Sequence, residues 1–134
     1  MDNVKPLPLI NGDNEQFWKG CARHELRFQK CRRCGFVRWP PSFLCPECHY
    51  TDAEMIRASG RGRVYSFVVY HMAYHQGFTD DLPYVVALVE LAEGPRFLSN
   101  IVGCEPDDVA CDMPVEVVWD DIGEWSLPKF RLLP

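Results

Sequence analysis

CRRCGFVRWPPSFLCPEC, residues 31–48, decides how the rest of the chain is read. It holds two Cys-x-x-Cys pairs, Cys31/Cys34 and Cys45/Cys48, with ten residues between them. Each pair spaces two thiolates so that one tight turn brings them to a common point. A short hairpin joining the pairs then closes a tetrahedral shell of four sulfurs. Gly35 and Pro46 suit such turns, in which backbone N–H groups fold back towards sulfur. Ligand type and number fit zinc, and a shell closed by four thiolates leaves no open position for substrate or water, so the metal is structural.

Three other readings of these cysteines are weaker. Cys45-Pro-Glu-Cys48-His49 has the form of a haem-attachment string. That reading leaves Cys31 and Cys34 unexplained, and residues 1–30 carry no secretory apolar segment. Iron in a rubredoxin-like electron-transfer site suits the knuckles, but rubredoxins separate their pairs by a much longer segment. Two disulfides would need an oxidising compartment, of which the sequence gives no sign. Cys21, Cys104 and Cys111 remain; they read as small apolar residues, and an odd remainder of free thiols points to the reducing cytoplasm.

A chain of 134 residues is one domain, or one small domain with a metal-stapled appendage. Its 47% hydrophobic content excludes a disordered chain, and no apolar run is long enough to cross a membrane. The net charge of −5 is unevenly spread. Residues 1–70 hold eleven Lys/Arg against seven Asp/Glu, whereas residues 71–134 hold three against twelve. Bulk binding to nucleic acid is therefore disfavoured, although a local basic patch is not.

Working outward from the cysteines, residues 1–24 form an arm and a helix, 25–59 the metal ribbon and 60–134 a second module, with Gly60 and Gly62 at the boundary. Residues 1–12 read as an extended arm. Asp13 and Gln16 then form a capping box for a helix over about 14–24, which puts Phe17, Trp18 and Cys21 on one side. Phe17 and Trp18, together with Trp39 of the hairpin, would make an apolar patch that calls for a partner to cover it. Arg23, Arg27, Lys30, Arg32, Arg33 and Arg38 cluster around the hairpin. They either offset the negative metal–thiolate centre or meet a phosphorylated ligand, for which arginine is well shaped. Residues 53–62 read as a connecting stretch.

The second module is a succession of strands: 63–71, 84–92, 96–103, 114–120 and 128–133, with a helical turn at 106–109. Five strands in this order match an OB-type barrel, so the fold is mainly β, with an N-terminal helix, a zinc ribbon and a five-stranded barrel. Two loops are candidates for chemistry. The thirteen residues 71–83 hold His71, Tyr74, His75, Phe78, Asp80 and Asp81; residues 121–127 hold Asp121, Glu124 and Trp125. Their aromatics could stack bases, but their carboxylates repel phosphates, so a zinc-ribbon/OB nucleic-acid module is the lesser alternative. No nucleophile motif and no phosphate-cradling glycine loop accompanies the histidines, which are better read as caps for loop hydrogen bonds or as interface residues.

The Phe17-Trp18 pair, the knuckles CRRCG and CPEC, the segment GRGRVYSF, the run PYVVALVELAEGPRFLSN and the terminal PKFRLLP together resemble one family. These are the acyl-CoA-associated OB-fold proteins with a rubredoxin-like zinc ribbon, long known only as a domain of unknown function. The resemblance covers about residues 13–134. It implies a non-catalytic accessory subunit that binds a CoA thioester and partners a thiolase-like, hydratase or aldolase enzyme in a hetero-oligomer. It carries over Cys31, Cys34, Cys45 and Cys48 as zinc ligands and no catalytic residue. Arg27, Lys30, Arg32, Arg33 and Arg38 are then the candidates for the CoA phosphates.

Overall fold

The computed structural model describes residues 5–134. Helix α1, Glu15–Ala22, buries Phe17, Gly20 and Cys21. Its N-cap is Asn14, with no side-chain cap bond, in place of the expected capping box on Asp13. The preceding loop closes on itself instead: the Asn11 side chain accepts the N–H of Asp13 and of Asn14 at 2.9 Å each, and the Asn14 amide donates to the Leu9 carbonyl at 3.0 Å. Asparagine competes well for such local bonds, which is why it wins the position.

The ribbon is a three-stranded antiparallel sheet in the order β2-β1-β3, formed by β1 (Arg27–Cys31), β2 (Val37–Arg38) and β3 (Ala53–Arg57). Strand β3 corrects the reading of residues 53–62 as a plain connection. All five of its residues pair with β1, from Arg27↔Arg57 to Cys31↔Ala53. The second module is a closed barrel in the order β4-β5-β6-β8-β7. Its strands are β4 (Arg61–Tyr70), β5 (Tyr84–Leu91), β6 (Arg96–Ile101), β7 (Pro114–Ile122) and β8 (Trp125–Leu132). Strand β5 alternates strictly, sending Val85, Ala87, Val89 and Leu91 inward. Closure rests on a single parallel pair, Ile101↔Phe130, between β6 and β8. The expected loop 121–127 is instead the tip of a hairpin: β7 and β8 stay paired down to Ile122↔Trp125, leaving a two-residue turn in which Gly123 has φ 59°.

One aromatic seam joins helix, ribbon and barrel. Phe17 of α1 lies 4.5 Å from Trp39 of the ribbon, and Trp39 lies 4.7 Å from Phe97 of β6, centroid to centroid. Phe28 of β1 and Phe130 of β8 extend the cluster. Trp18 meets Trp125 of the β7–β8 hairpin edge-on at 5.5 Å. These separations are those of favourable aromatic pairs. The expectation that Phe17, Trp18 and Trp39 face a partner is corrected here. Phe17 is 1% exposed, and Trp18 and Trp39 are half-buried against the same core. The barrel supplies the cover that the ribbon and helix lack by themselves.

Candidate functional site

The two knuckles meet as their spacing requires. The sulfurs of Cys31, Cys34, Cys45 and Cys48 all lie within 4.8 Å of one another. Cys31 and Cys48 are 3.6 Å apart and Cys34 and Cys45 3.5 Å apart, sulfur to sulfur. A tetrahedral shell with Zn–S bonds of about 2.3 Å has sulfur–sulfur edges of about 3.8 Å, so the cage fits that ion. Strand β1 delivers Cys31 at its end, and the Gly35 N–H donates to the Cys31 carbonyl in the following turn, where Gly35 has φ 80°. The second pair repeats the device: the His49 N–H donates to the Cys45 carbonyl, and His49 has φ 63°.

Backbone donors prepare these sulfurs for metal. The N–H of Cys34, helped by that of Arg33, draws the Cys31 thiol from 9.0 down to about 6 against the effect of burial. Burial raises Cys45, but the N–H groups of Cys48 and Glu47 outweigh it and leave the thiol below its ordinary range. The Phe36 N–H favours a thiolate at Cys34, yet burial and the three facing sulfurs push that thiol up to about 12. Without an ion the shell keeps protons, and a cation would displace them. Bound zinc would supply a covalent-strength cross-link between the two knuckles and no chemistry on a substrate.

The five CoA candidates around the hairpin separate into different roles. Arg38 is 3% exposed; its Nε donates to Gln29 Oε1 at 3.0 Å and its Nη2 to the Ser42 carbonyl at 2.9 Å. It braces the loop between the knuckles and is closed to any phosphate, which corrects its place among the CoA candidates. Arg27 is engaged by Glu25, and Arg32 lies within 3.4 Å of Asp52 and 3.8 Å of Glu54. Lys30 and Arg33 have no carboxylate within salt-bridge distance among the described residues; the Arg33 guanidinium lies over the Tyr50 ring. Around them Phe36, Phe43, Leu44 and Tyr50 are exposed, Phe43 at 71%.

The loop histidines do structural work. His75 Nδ1 accepts the Gly77 N–H at 2.9 Å and caps the helical turn Gln76–Asp81. His71 is exposed. His24, which the sequence did not single out, stacks flat on Trp119 and bonds Asp121 at 2.9 Å, fastening the end of the helical segment to the barrel. The Ser126 hydroxyl and then His24 hold the Asp121 carboxyl below its usual range.

The sequence also missed a groove of about 560 Å³ on the barrel, between the helical turn Gln76–Asp81, the adjoining ends of β5 and β6, and strands β7 and β8. Val85, Ile101, Val102 and Val118 contribute apolar wall, Phe78, Tyr84 and Trp119 aromatic wall, and Asn100 and Cys104 polar points. Two cations line it, but neither charge is free: Lys5 meets Asp81 at 2.7 Å and Lys129 meets Asp120 at 3.0 Å. Only the three-dimensional closure of the barrel brings these five segments together, so no local pattern announces the groove.

Comparison with known proteins places this architecture. The family model described as the ChsH2 rubredoxin-like zinc ribbon domain matches residues 18–52, and that described as the ChsH2 C-terminal OB-fold domain matches residues 56–120. The chain is similar to a probable enoyl-CoA hydratase alpha subunit of Thermomonospora curvata, 41% identical over 129 residues. That match takes in 96% of this chain but 40% of the relative, so the chain spans less than half of that protein. It is also similar to a DUF35 domain-containing scaffold protein of Methanocaldococcus jannaschii, 43% identical over 96 residues, which are 71% of this chain and 67% of that one. Among solved structures it superposes on a chain of the Ltp2-ChsH2(DUF35) aldolase with a TM-score of 0.86 and 41% identity, covering 94% of this chain and 98% of that one. With both modules matched in order, and with helix, metal cage and barrel in place, this chain belongs to the DUF35 family, a rubredoxin-like zinc ribbon joined to an OB-fold barrel.

Proposed function

We propose that this chain is a non-catalytic accessory subunit that binds a CoA thioester and docks on a thiolase-like, hydratase or aldolase enzyme, its ribbon held by structural zinc. The likeness along almost the whole of both chains to a chain of the Ltp2-ChsH2(DUF35) aldolase carries the reading, supported by the relative named as a hydratase subunit. The site chemistry agrees. The group of side chains able to hold a metal among the described residues is a cage of four sulfurs, which suits a structural ion, and His75 caps its own loop. Docking falls to the exposed Phe36, Phe43, Leu44 and Tyr50 around the cage, now that Phe17, Trp18 and Trp39 are committed to the core. The CoA phosphates fall to Lys30 and Arg33, the candidates that no carboxylate among the described residues neutralises.

The test is affinity purification of the full chain from its native cell, with the co-purifying proteins and their thioester activity identified. An acyl-CoA enzyme in the eluate, lost on Phe43→Asp with zinc content unchanged, is the expected result. Turnover of a thioester by the pure chain alone overturns the accessory role.

A further inference from the structure

The barrel groove can be sorted by what its lining would accept. Pockets of about 300–1,000 Å³ with apolar walls and a few fixed polar points are the common form of small-ligand sites, and this one falls within that range. A phosphate needs cations whose charge is free, yet the two lysines here are each held by an aspartate within 3.0 Å. A pure hydrocarbon would strand two ion pairs at partly buried positions: the Lys129 side chain is 17% exposed and that of Lys5 28%. A chain that alternates amides with short apolar pieces matches both halves of the lining, placing its polar atoms at the ion pairs and at the side-chain oxygen of Asn100, whose amide nitrogen donates to the Val85 carbonyl at 2.9 Å, and its methylenes against Val102 and Val118.

We infer that this groove receives the uncharged pantetheine arm of a thioester ligand and excludes the nucleotide phosphates. The inference rests on the proposed handling of CoA thioesters and adds the place and the part of the ligand that is bound. The division also follows from charge: the paired lysines make the groove neutral, so it neither attracts nor repels the arm, while the many carboxylates of residues 71–134 repel the phosphates.

Cys104 lines the groove and Cys111 is exposed outside its lining, so the two thiols report on it from within and without. Burial, followed by the charges of Asp108 and Glu105, keeps the Cys104 thiol protonated, so its alkylation is slow enough to follow. The experiment measures iodoacetamide labelling of both thiols by mass spectrometry on the full metal-loaded chain. The probes are S-acetylpantetheine, adenosine 3′,5′-bisphosphate and acetyl-CoA, with direct binding of each by calorimetry. At about ten times its dissociation constant, S-acetylpantetheine should slow labelling of Cys104 about tenfold, following the free fraction of protein, and leave Cys111 unchanged. The bisphosphate should protect neither thiol. Val118→Trp, which fills the groove, should remove the protection while melting and metal content stay as in the parent. Acetyl-CoA that binds without slowing Cys104 overturns the groove assignment and leaves the thioester reading standing, as does protection by the bisphosphate alone. Failure of acetyl-CoA to bind, with or without the partner enzyme, overturns both. The protection measured on the unaltered chain decides the matter even if the tryptophan variant folds poorly.

Discussion

At the scale of single residues, Arg38 and Cys31 show how side chains that look alike in sequence diverge once placed. Arg38 is a buried cation whose two bonds hold the Gln29 side chain and the Ser42 carbonyl, with Nη1 left unpartnered in the described structure. Arg38→Met should cost about 1–3 kcal/mol in a urea titration, because it takes the donor from the half-buried Ser42 carbonyl and leaves Gln29 Oε1 with the Ser42 N–H alone, whereas neutralising exposed Arg33 should cost little. Cys31 is a cage thiol that its backbone donors make more acidic. Its pKa is lowered on folding, so the stabilisation its thiolate draws from the Cys34 and Arg33 N–H groups is present at high pH. That stabilisation is lost as pH falls from 9.0 through about 6. Metal uptake must also displace the proton that Cys34 holds up to about 12. Apparent zinc affinity, measured with a competing chelator, should therefore climb steeply with pH across that interval and release protons into a weakly buffered solution. Cys48→Ser should abolish stoichiometric zinc in elemental analysis; full retention would mean that three sulfurs suffice.

At the scale of elements, Gly60 joins ribbon to barrel with φ 81°, and a Cβ there would stand 2.4 Å from Val117 Cγ1. Gly60→Ala should destabilise by more than about 1 kcal/mol from backbone strain alone, and Val117→Ala in the same chain should return part of the steric share. The five barrel strands were legible in the sequence, because β-branched runs broken by turn residues are local signals. The cage was legible for the same reason: two Cys pairs ten residues apart encode their own geometry. Strand β3 was not, since AEMIR has no period-two pattern and becomes a strand only by pairing with β1. The hairpin at 122–125 was hidden because Trp125 and Ser126 are separated from Pro128 and Phe130 by no break, and residues 121–127 look polar enough for a loop. The aromatic seam was read the wrong way round for a more general reason. Sequence shows that Phe17, Trp18 and Trp39 need cover, but only the packing shows that Phe97 and Trp125 of the same chain provide it. Truncating the middle of that cover, Phe97→Ala, should cost about 3–5 kcal/mol in equilibrium unfolding.

At the scale of the whole molecule, the seam predicts that metal and barrel share one unfolding transition. Stripping the ion with a chelator should lower the midpoint of both the tryptophan fluorescence and the far-ultraviolet melt together, because Trp39 ties the ribbon to Phe97 inside the barrel. A ribbon that melts early while the barrel transition stays put would contradict this coupling. The same joint has a mechanical meaning. Five rings contributed by helix, ribbon and barrel pack across the joint between the two modules, so any change in the span from the sulfur cage to the mouth of the groove must first break ring contacts. The molecule is then a calliper with its jaws locked. Whatever is gripped at the ribbon tip is presented to whatever lies in the groove at a constant reach, and a handover between the two needs no search by a tether.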